Sequence, residues 1–138
     1  MKNSHPDKIL RILDANFNRA KEGLRVCEDI CRYVWDDRTL TLRYKQLRHD
    51  LTKAAQSLNL LKALEARHIQ GDVGRSTLKT EAQRPNMNAV FWANAQRVKE
   101  SLRVLEEIAK LVNRKTAQQI KQMRYQAYGL EQKALKRR

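Results

Sequence analysis

The sequence predicts an all-α fold, an antiparallel helical bundle built from two copies of one helical hairpin. Three observations carry that prediction. Only four Gly and two Pro occur among 138 residues, and aromatics make up 6%, too few turn formers and rings for a sandwich or barrel. Apolar residues recur at steps of three and four over long stretches, the period of a helix that buries one face. The chain also repeats itself. Ala15 to Ile30 reads ANFNRAKEGLRVCEDI and Ala93 to Ile108 reads ANAQRVKESLRVLEEI, identical at ten of sixteen positions with an offset of 78 residues. A chain of this length holds one core, so residues 1–138 are expected to form a single domain.

The first helix follows from the seam Leu10, Leu13, Phe17, Ala20, Leu24, Cys27, Cys31 and Val34, with Ser4 and Asp7 reading as its capping box. Asp36-Asp37 separate it from a returning helix with the seam Leu40, Tyr44, Leu47, Leu51, Ala54, Leu58 and Leu61. Together they make a first hairpin over about residues 5–62. A connecting loop, residues 66–88, carries Gly71-Asp72-Val73-Gly74, Pro85 and Asn86; it is the longest irregular stretch, of a kind that often holds function. The second hairpin, about residues 89–136, repeats the register through Phe91, Ala95, Val98, Leu102, Leu105, Ala109 and Val112. Asn113-Arg114-Lys115 separate its helices, and Thr116 with Gln119 reads as a capping box opening the last one. That helix has the seam Thr116, Ile120, Met123, Ala127, Leu130 and Ala134. Its Lys121-Gln122-Met123-Arg124 echoes Lys45-Gln46-Leu47-Arg48, but with a two-residue shift in the repeat. A second strip on the first helix, Ile12, Gly23, Val26 and Ile30, means that this helix is either central in the bundle or the face of a homodimer.

The charge narrows the function. Lys and Arg number 29 against 15 Asp and Glu, a net charge of +14, which points to polyanions, either nucleic acid or small phosphorylated molecules. No stretch approaches the roughly 20 apolar residues that span a bilayer, and no signal-peptide pattern opens the chain, so a cytoplasmic protein is expected. The two cysteines, Cys27 and Cys31, share one helical face with no His at ligand spacing, and read as small buried apolar side chains.

Polar residues recur in both repeats: Asn16/Asn94, Arg19/Arg97, Lys21/Lys99, Glu22/Glu100, Arg25/Arg103 and Glu28/Glu106. At 100° per residue, Asn16 lies about 60° and Arg19 about 120° from the seam, at the core margin. An arginine there offers a planar fork to phosphate or carboxylate, and an asparagine there needs partners. Glu22, Arg25 and Asp29 form an exposed ladder. His49 and Asp50 diverge on their helix and do not pair. The turn at Gly71 to Gly74 can bring Asp72 and backbone N–H groups to a phosphate or Mg²⁺, with Arg67, Arg75 and Arg84 around it, although no Walker A or G-x-G-x-x-G loop is present.

The stretch from Arg11 to Val34, LRHDL at Leu47 to Leu51, GDVG at Gly71 to Gly74 and ANAQRVKESLRVLEEIAKL from Ala93 to Leu111 resemble a single helical domain. It is the hydroxymethylpyrimidine-phosphate kinase domain found alone or fused ahead of thiamin-phosphate synthase. The resemblance implies ATP-dependent conversion of 4-amino-5-hydroxymethyl-2-methylpyrimidine phosphate to its diphosphate, with Mg²⁺, and a thiamin-phosphate synthase as partner. One departure stands out: where the family reads Arg-Asp ahead of its GDVG turn, this chain has Arg67-His68. The chemistry then sets the roles. Arg19, Arg97, Arg48 and Arg124 are expected to hold phosphates, Asp72 with Glu22 or Glu100 to approach the metal, and Asn16 and Asn94 to orient substrate. Two alternatives come from other classes: a basic helical nucleic-acid-binding protein, for which few aromatics are available to stack on bases, and a non-catalytic assembly subunit.

Overall fold

The computed structural model describes residues 6–59, 66–76 and 82–137, and their regular structure is entirely helical. Pro6 opens α1 (Pro6–Asp29) at a first-turn position where its missing N–H costs nothing, with Asp7 favourably placed against the helix dipole. The helix continues through one wide π turn, Ile30–Val34, before α2 (Arg38–Gln56) returns. α3 (Met87–Ala109) and α4 (Arg114–Lys136) form the second hairpin.

Three of the four helices start on an Asx cap. Asp37 accepts from Leu40 N, Asn86 from Ala89 N and Asn113 from Thr116 N, each satisfying a donor that the first turn leaves free. Asn113 therefore opens α4, and the expected Thr116–Gln119 box does not; Thr116 is buried and shares a 2.8 Å hydrogen bond with Ser57. Arg114 and Lys115 belong to the helix rather than to the break. Ser4 and Leu61 lie outside the described residues.

The π turn accounts for the two-residue shift between the repeats. Ile30 and Ile108 are equivalent, as are the caps Asp37 and Asn113, yet the first hairpin has two more residues between them. The extra chain is taken up by bonds that skip further than an α-helix allows, Trp35 N to Ile30 O at 3.0 Å and Asp37 N to Cys31 O at 2.9 Å. Asp36 sits at φ 49°, a conformation that Asp tolerates. This rewinding turns Val34 out to solvent, so the seam ends at Cys31, and Trp35 packs on Phe91 instead, ring centroids 4.7 Å apart. Val112 is exposed as well, because α3 ends at Ala109.

Every other seam residue from Leu13 to Cys31, Leu40 to Leu58, Phe91 to Ala109 and Thr116 to Ala134 is buried. Leu10, at the open end of α1, is half-buried. Each buried Leu removes enough apolar area to stabilise the fold by about 2 kcal/mol. The four helices form a ring in which α1 lies against α2 and α3, and α4 closes the ring against α2 and α3. Neighbours run antiparallel: Cys27 Sγ lies 3.8 Å from Phe91 O, while the N-terminal half of α1 shares a hollow with Val104 further along α3. α1 and α3 come close at Gly23, where an added Cβ would stand 2.8 Å from Val98 Cγ2 and 3.0 Å from Asn94 O. Within the chain, α3 is thus the second partner that the Gly23 and Ile30 strip calls for, while Ile12 stays exposed.

The twofold relation of the repeats shows most clearly in two buried ion pairs. Arg48 Nε donates to Glu28 Oε1 at 3.0 Å, and Arg124 Nε donates to Glu106 Oε1 at 2.9 Å. Each pins a returning helix to its partner at the same place in both hairpins. Among the described residues, no helix is long and apolar enough to cross a membrane.

Candidate functional site

The helix spacing of Lys8, Arg11, Ile12, Ala15 and Arg19 sets these side chains along one stripe of α1. The loop after α2 folds back over that stripe because Arg67 grips Asp14 with two bonds, Nε to Oδ2 and Nη2 to Oδ1, both 2.7 Å. This hydrogen bonding raises the Arg67 pKa above its already high ordinary value, so the guanidinium stays charged. Between loop and helix lies a hollow of about 790 Å³ whose lining includes Asn16, Arg19, Asp14, Arg67, His68 and Asp72, with Ile12 and Val104 as apolar contacts.

Asn16 is buried, 4% exposed, and its orientation is fixed: Nδ2 donates to Ile12 O at 2.9 Å while Oδ1 accepts from Arg19 Nη1 at 3.4 Å. Arg19 is exposed, and among the described residues its other donors have no side-chain partner. Across the hollow, Asp72 caps its own turn by accepting from Gly74 N at 3.0 Å, and a Cβ on Gly71 would collide with the His68 ring. Among the described residues, the acids in the lining are Asp14 and Asp72, and Asp14 is committed to Arg67. Lys8, Arg11 and Arg19 have no acidic partner among the described residues, so the hollow carries a cationic excess suited to a phosphate.

Of the expected site residues, Asn16, Arg19 and Asp72 meet in this hollow. Asn94 and Arg97 occupy the twofold-related place on α3, where Asn94 Nδ2 donates to Val90 O at 2.8 Å just as Asn16 does to Ile12. Glu22 and Glu100 are exposed and do not line the hollow; Glu100 accepts from Gln96 at 3.0 Å. Arg48 and Arg124 turn instead to their buried glutamates. Sequence reasoning missed Asp14, Lys8 and Arg11. The three-and-four spacing that joins Lys8 and Arg11 to Arg19 was the available signal, whereas nothing local couples Asp14 to Arg67 across 53 residues.

Cys27 and Cys31 lie in the core. Burial pushes the Cys31 thiol up to about 12 and that of Cys27 further the same way, which removes both as nucleophiles at neutral pH. Among the described residues, no three His, Cys, Asp or Glu side chains converge on one point. A separate groove of about 460 Å³ runs between α2 and α4, lined by Arg43, Gln46, Asp50, Gln126 and Lys133 over Gly129.

Comparison with known proteins gives a family model described as the ThiD2 family, which matches residues 11–133. The chain is similar to proteins named thiamine-phosphate synthase. It is 45% identical to that of Synechocystis sp. over 132 residues, covering 95% of this chain and 37% of the relative. It is 44% identical to that of Nostoc punctiforme over 124 residues, covering 89% and 34%. The Rhodopirellula baltica protein is 40% identical over 130 residues, covering 94% and 35%. The chain thus spans about a third of the length of these curated relatives. No solved structure matches it.

Proposed function

The chain belongs to the ThiD2 family, and from that premise we propose that it is a kinase of thiamin biosynthesis. It transfers the terminal phosphoryl group of ATP to 4-amino-5-hydroxymethyl-2-methylpyrimidine phosphate, making the diphosphate that a thiamine-phosphate synthase consumes. The observation that carries this reading is the hollow on α1, which Asn16, Arg19 and Asp72 line together with Lys8 and Arg11, cations with no acidic partner among the described residues. Longer relatives named for the synthase support the pathway.

The chemistry asks little of the protein beyond binding and charge. A phosphate monoester loses its second proton at a pKa of about 6, so the acceptor oxygen is ionised near neutrality and needs no base. That oxygen forms a bond to the terminal phosphorus of ATP, the bond to the bridging oxygen breaks, and ADP leaves with the electron pair. Arg19 binds the acceptor phosphate, held in place by Asn16. Lys8 and Arg11 offset the charge that two phosphorylated ligands bring together. Mg²⁺ takes few protein ligands and keeps phosphate oxygens and waters, so Asp72, the carboxylate of the described lining that no cation holds, fits a contact to a nucleotide-borne ion. When bound, that ion neutralises the phosphate oxygens between which transfer occurs.

The test is turnover with Mg-ATP and the pyrimidine monophosphate, with the unphosphorylated alcohol as control. ADP and the diphosphate appear together if the reading holds. Folded protein that forms no ADP with the monophosphate refutes it.

A further inference from the structure

The groove between α2 and α4 meets a second groove of about 390 Å³ end to end, and Asp50 and Gln126 line both. The helices run antiparallel, since Ser57 at the end of α2 bonds Thr116 at the start of α4. Lys45 to Arg48 and Lys121 to Arg124 set the repeats 76 residues apart here, so Asp50 and Gln126 are equivalent and each groove is the other's twofold image. The images differ where it matters to a ligand. Lys53 and Ser57 of the second groove become Gly129 and Lys133 in the first, and Gln119 of the second stands where the first has Arg43.

Gly129 stands inside α4 without a positive φ, and a Cβ there would meet nothing within 4 Å. Glycine weakens a helix relative to alanine, and neither a turn nor close packing within the chain calls for it at this position. It leaves bare backbone in a groove that buried Leu47 and Leu130 also line.

The cations gather at one end. Arg43 precedes Asp50 by seven residues and Lys133 follows Gln126 by seven. Seven residues make nearly two whole turns, so each cation keeps the groove face of its helix and stands about 10.5 Å from the join. Because the helices are antiparallel, both steps lead to the same end. Packed helix axes lie about 8–10 Å apart, a gap that two long side chains can close on one anion. Arg43 and Lys133 are exposed and have no acidic partner among the described residues. Asp50, the acid of the described lining, sits at the join and accepts from Gln46 Nε2 at 2.9 Å.

We infer that the α2–α4 groove binds a mononucleotide, its phosphate between Arg43 and Lys133 and its base over Gly129. The amides of Gln46 and Gln126 both donate and accept, as the edge of a base requires. A volume of about 460 Å³ is that of a small-molecule site. The α1 hollow is lined by α1, its loop and Val104 of α3, on the opposite side of the four-helix ring. A nucleotide in the groove is therefore not the phosphoryl donor to that hollow, and the inference stands apart from the kinase reading.

Calorimetric titration of the full chain with AMP tests it, with inorganic phosphate as second probe. The wild-type chain binds AMP, and binds phosphate at least about tenfold more weakly, because the ion leaves the floor and the amides unused. Arg43→Ala and Lys133→Ala each weaken AMP by about tenfold, the effect of losing a charge-assisted hydrogen bond. Gly129→Gln restores the length of Lys53 without its charge; it fills the floor and abolishes AMP binding, while the urea midpoint holds or rises because glutamine favours the helix. The AMP site lost in Gly129→Gln survives Arg19→Ala. AMP that binds Gly129→Gln as tightly as wild type, no AMP binding by wild type at millimolar concentration, or phosphate that binds as tightly as AMP overturns the assignment. So does a dimer in sedimentation that Gly129→Gln splits, which makes the groove an interface between two copies of the chain.

Discussion

Replacing Arg48 by Met separates structural arginine from binding arginine. Arg48 Nε stands 3.0 Å from Glu28 Oε1, the Glu28 side chain is 2% exposed and the Arg48 side chain 15%. Two unit charges near 4 Å attract by about 4 kcal/mol at an effective dielectric constant of about 20. Met keeps most of the aliphatic bulk but leaves the carboxylate to Arg25 alone, a half-exposed residue at 3.9 Å. Breaking a buried pair from one side costs about 3 kcal/mol. The twin substitution is milder. Glu106 keeps Arg103 Nη1 at 3.2 Å after Arg124→Met. That neighbour restores up to about 1 kcal/mol, so the cost falls to about 2 kcal/mol. Urea unfolding followed by far-ultraviolet circular dichroism, at fixed protein concentration, reads both values. The double replacement Glu28→Met with Arg48→Met recovers most of the loss, because no charge is then left buried. A cost for Arg48→Met below about 0.5 kcal/mol, within the range of ordinary surface substitutions, refutes the assignment of Arg48 to the fold. So does a larger cost for Arg124→Met than for Arg48→Met.

The other predictions address different parts of the molecule. Gly23→Ser copies the residue at the equivalent Ser101 but crowds Val98 and Asn94, and is expected to destabilise by about 2 kcal/mol in the same unfolding assay. From neutral pH up to the ordinary thiol value of 9.0 these buried groups leave stability unchanged, and above it stability falls. Buried Cys31 keeps its proton to about 12, and Cys27 and Tyr44 are raised the same way, while the unfolded chain releases these protons earlier. Unfolding midpoints measured from neutral pH to about 11 show that decline, and Cys31→Ala makes it shallower. Arg67→Ala costs about 1 kcal/mol or less because the pair is partly exposed, yet limited proteolysis cuts faster within residues 66–76. Cleavage at the wild-type rate contradicts the role of Asp14 and Arg67 as the loop's clasp.

The architecture was legible because duplication and apolar spacing are local signals. Phe17, Leu24, Phe91 and Leu102 announce their faces by step alone, and all are buried as expected. What escaped depends on chain geometry or on distant partners. The two-residue shift was visible, but not that a π turn absorbs it and turns Val34 outward. Arg48 and Arg124 read as phosphate ligands because their partners, Glu28 and Glu106, lie on another helix, 20 and 18 residues away. Both glutamates recur, and so do both arginines with the two-residue shift, which was the trace of a matched pair in each hairpin. The hollow was half legible. The chemistry of Asn16, Arg19 and Asp72 marks them in the sequence and all three line it, while the clasp that brings Asp72 to α1 joins residues far apart in sequence.

The central claim is phosphoryl transfer to a pyrimidine phosphate at the α1 hollow. Its most direct measurement is ADP formation by wild type and Arg19→Ala, each with Mg-ATP and the pyrimidine monophosphate. The account predicts turnover by the wild-type chain and a KM for the monophosphate raised about tenfold or more in the variant. No turnover by folded wild-type protein, or identical kinetics in the variant, contradicts it.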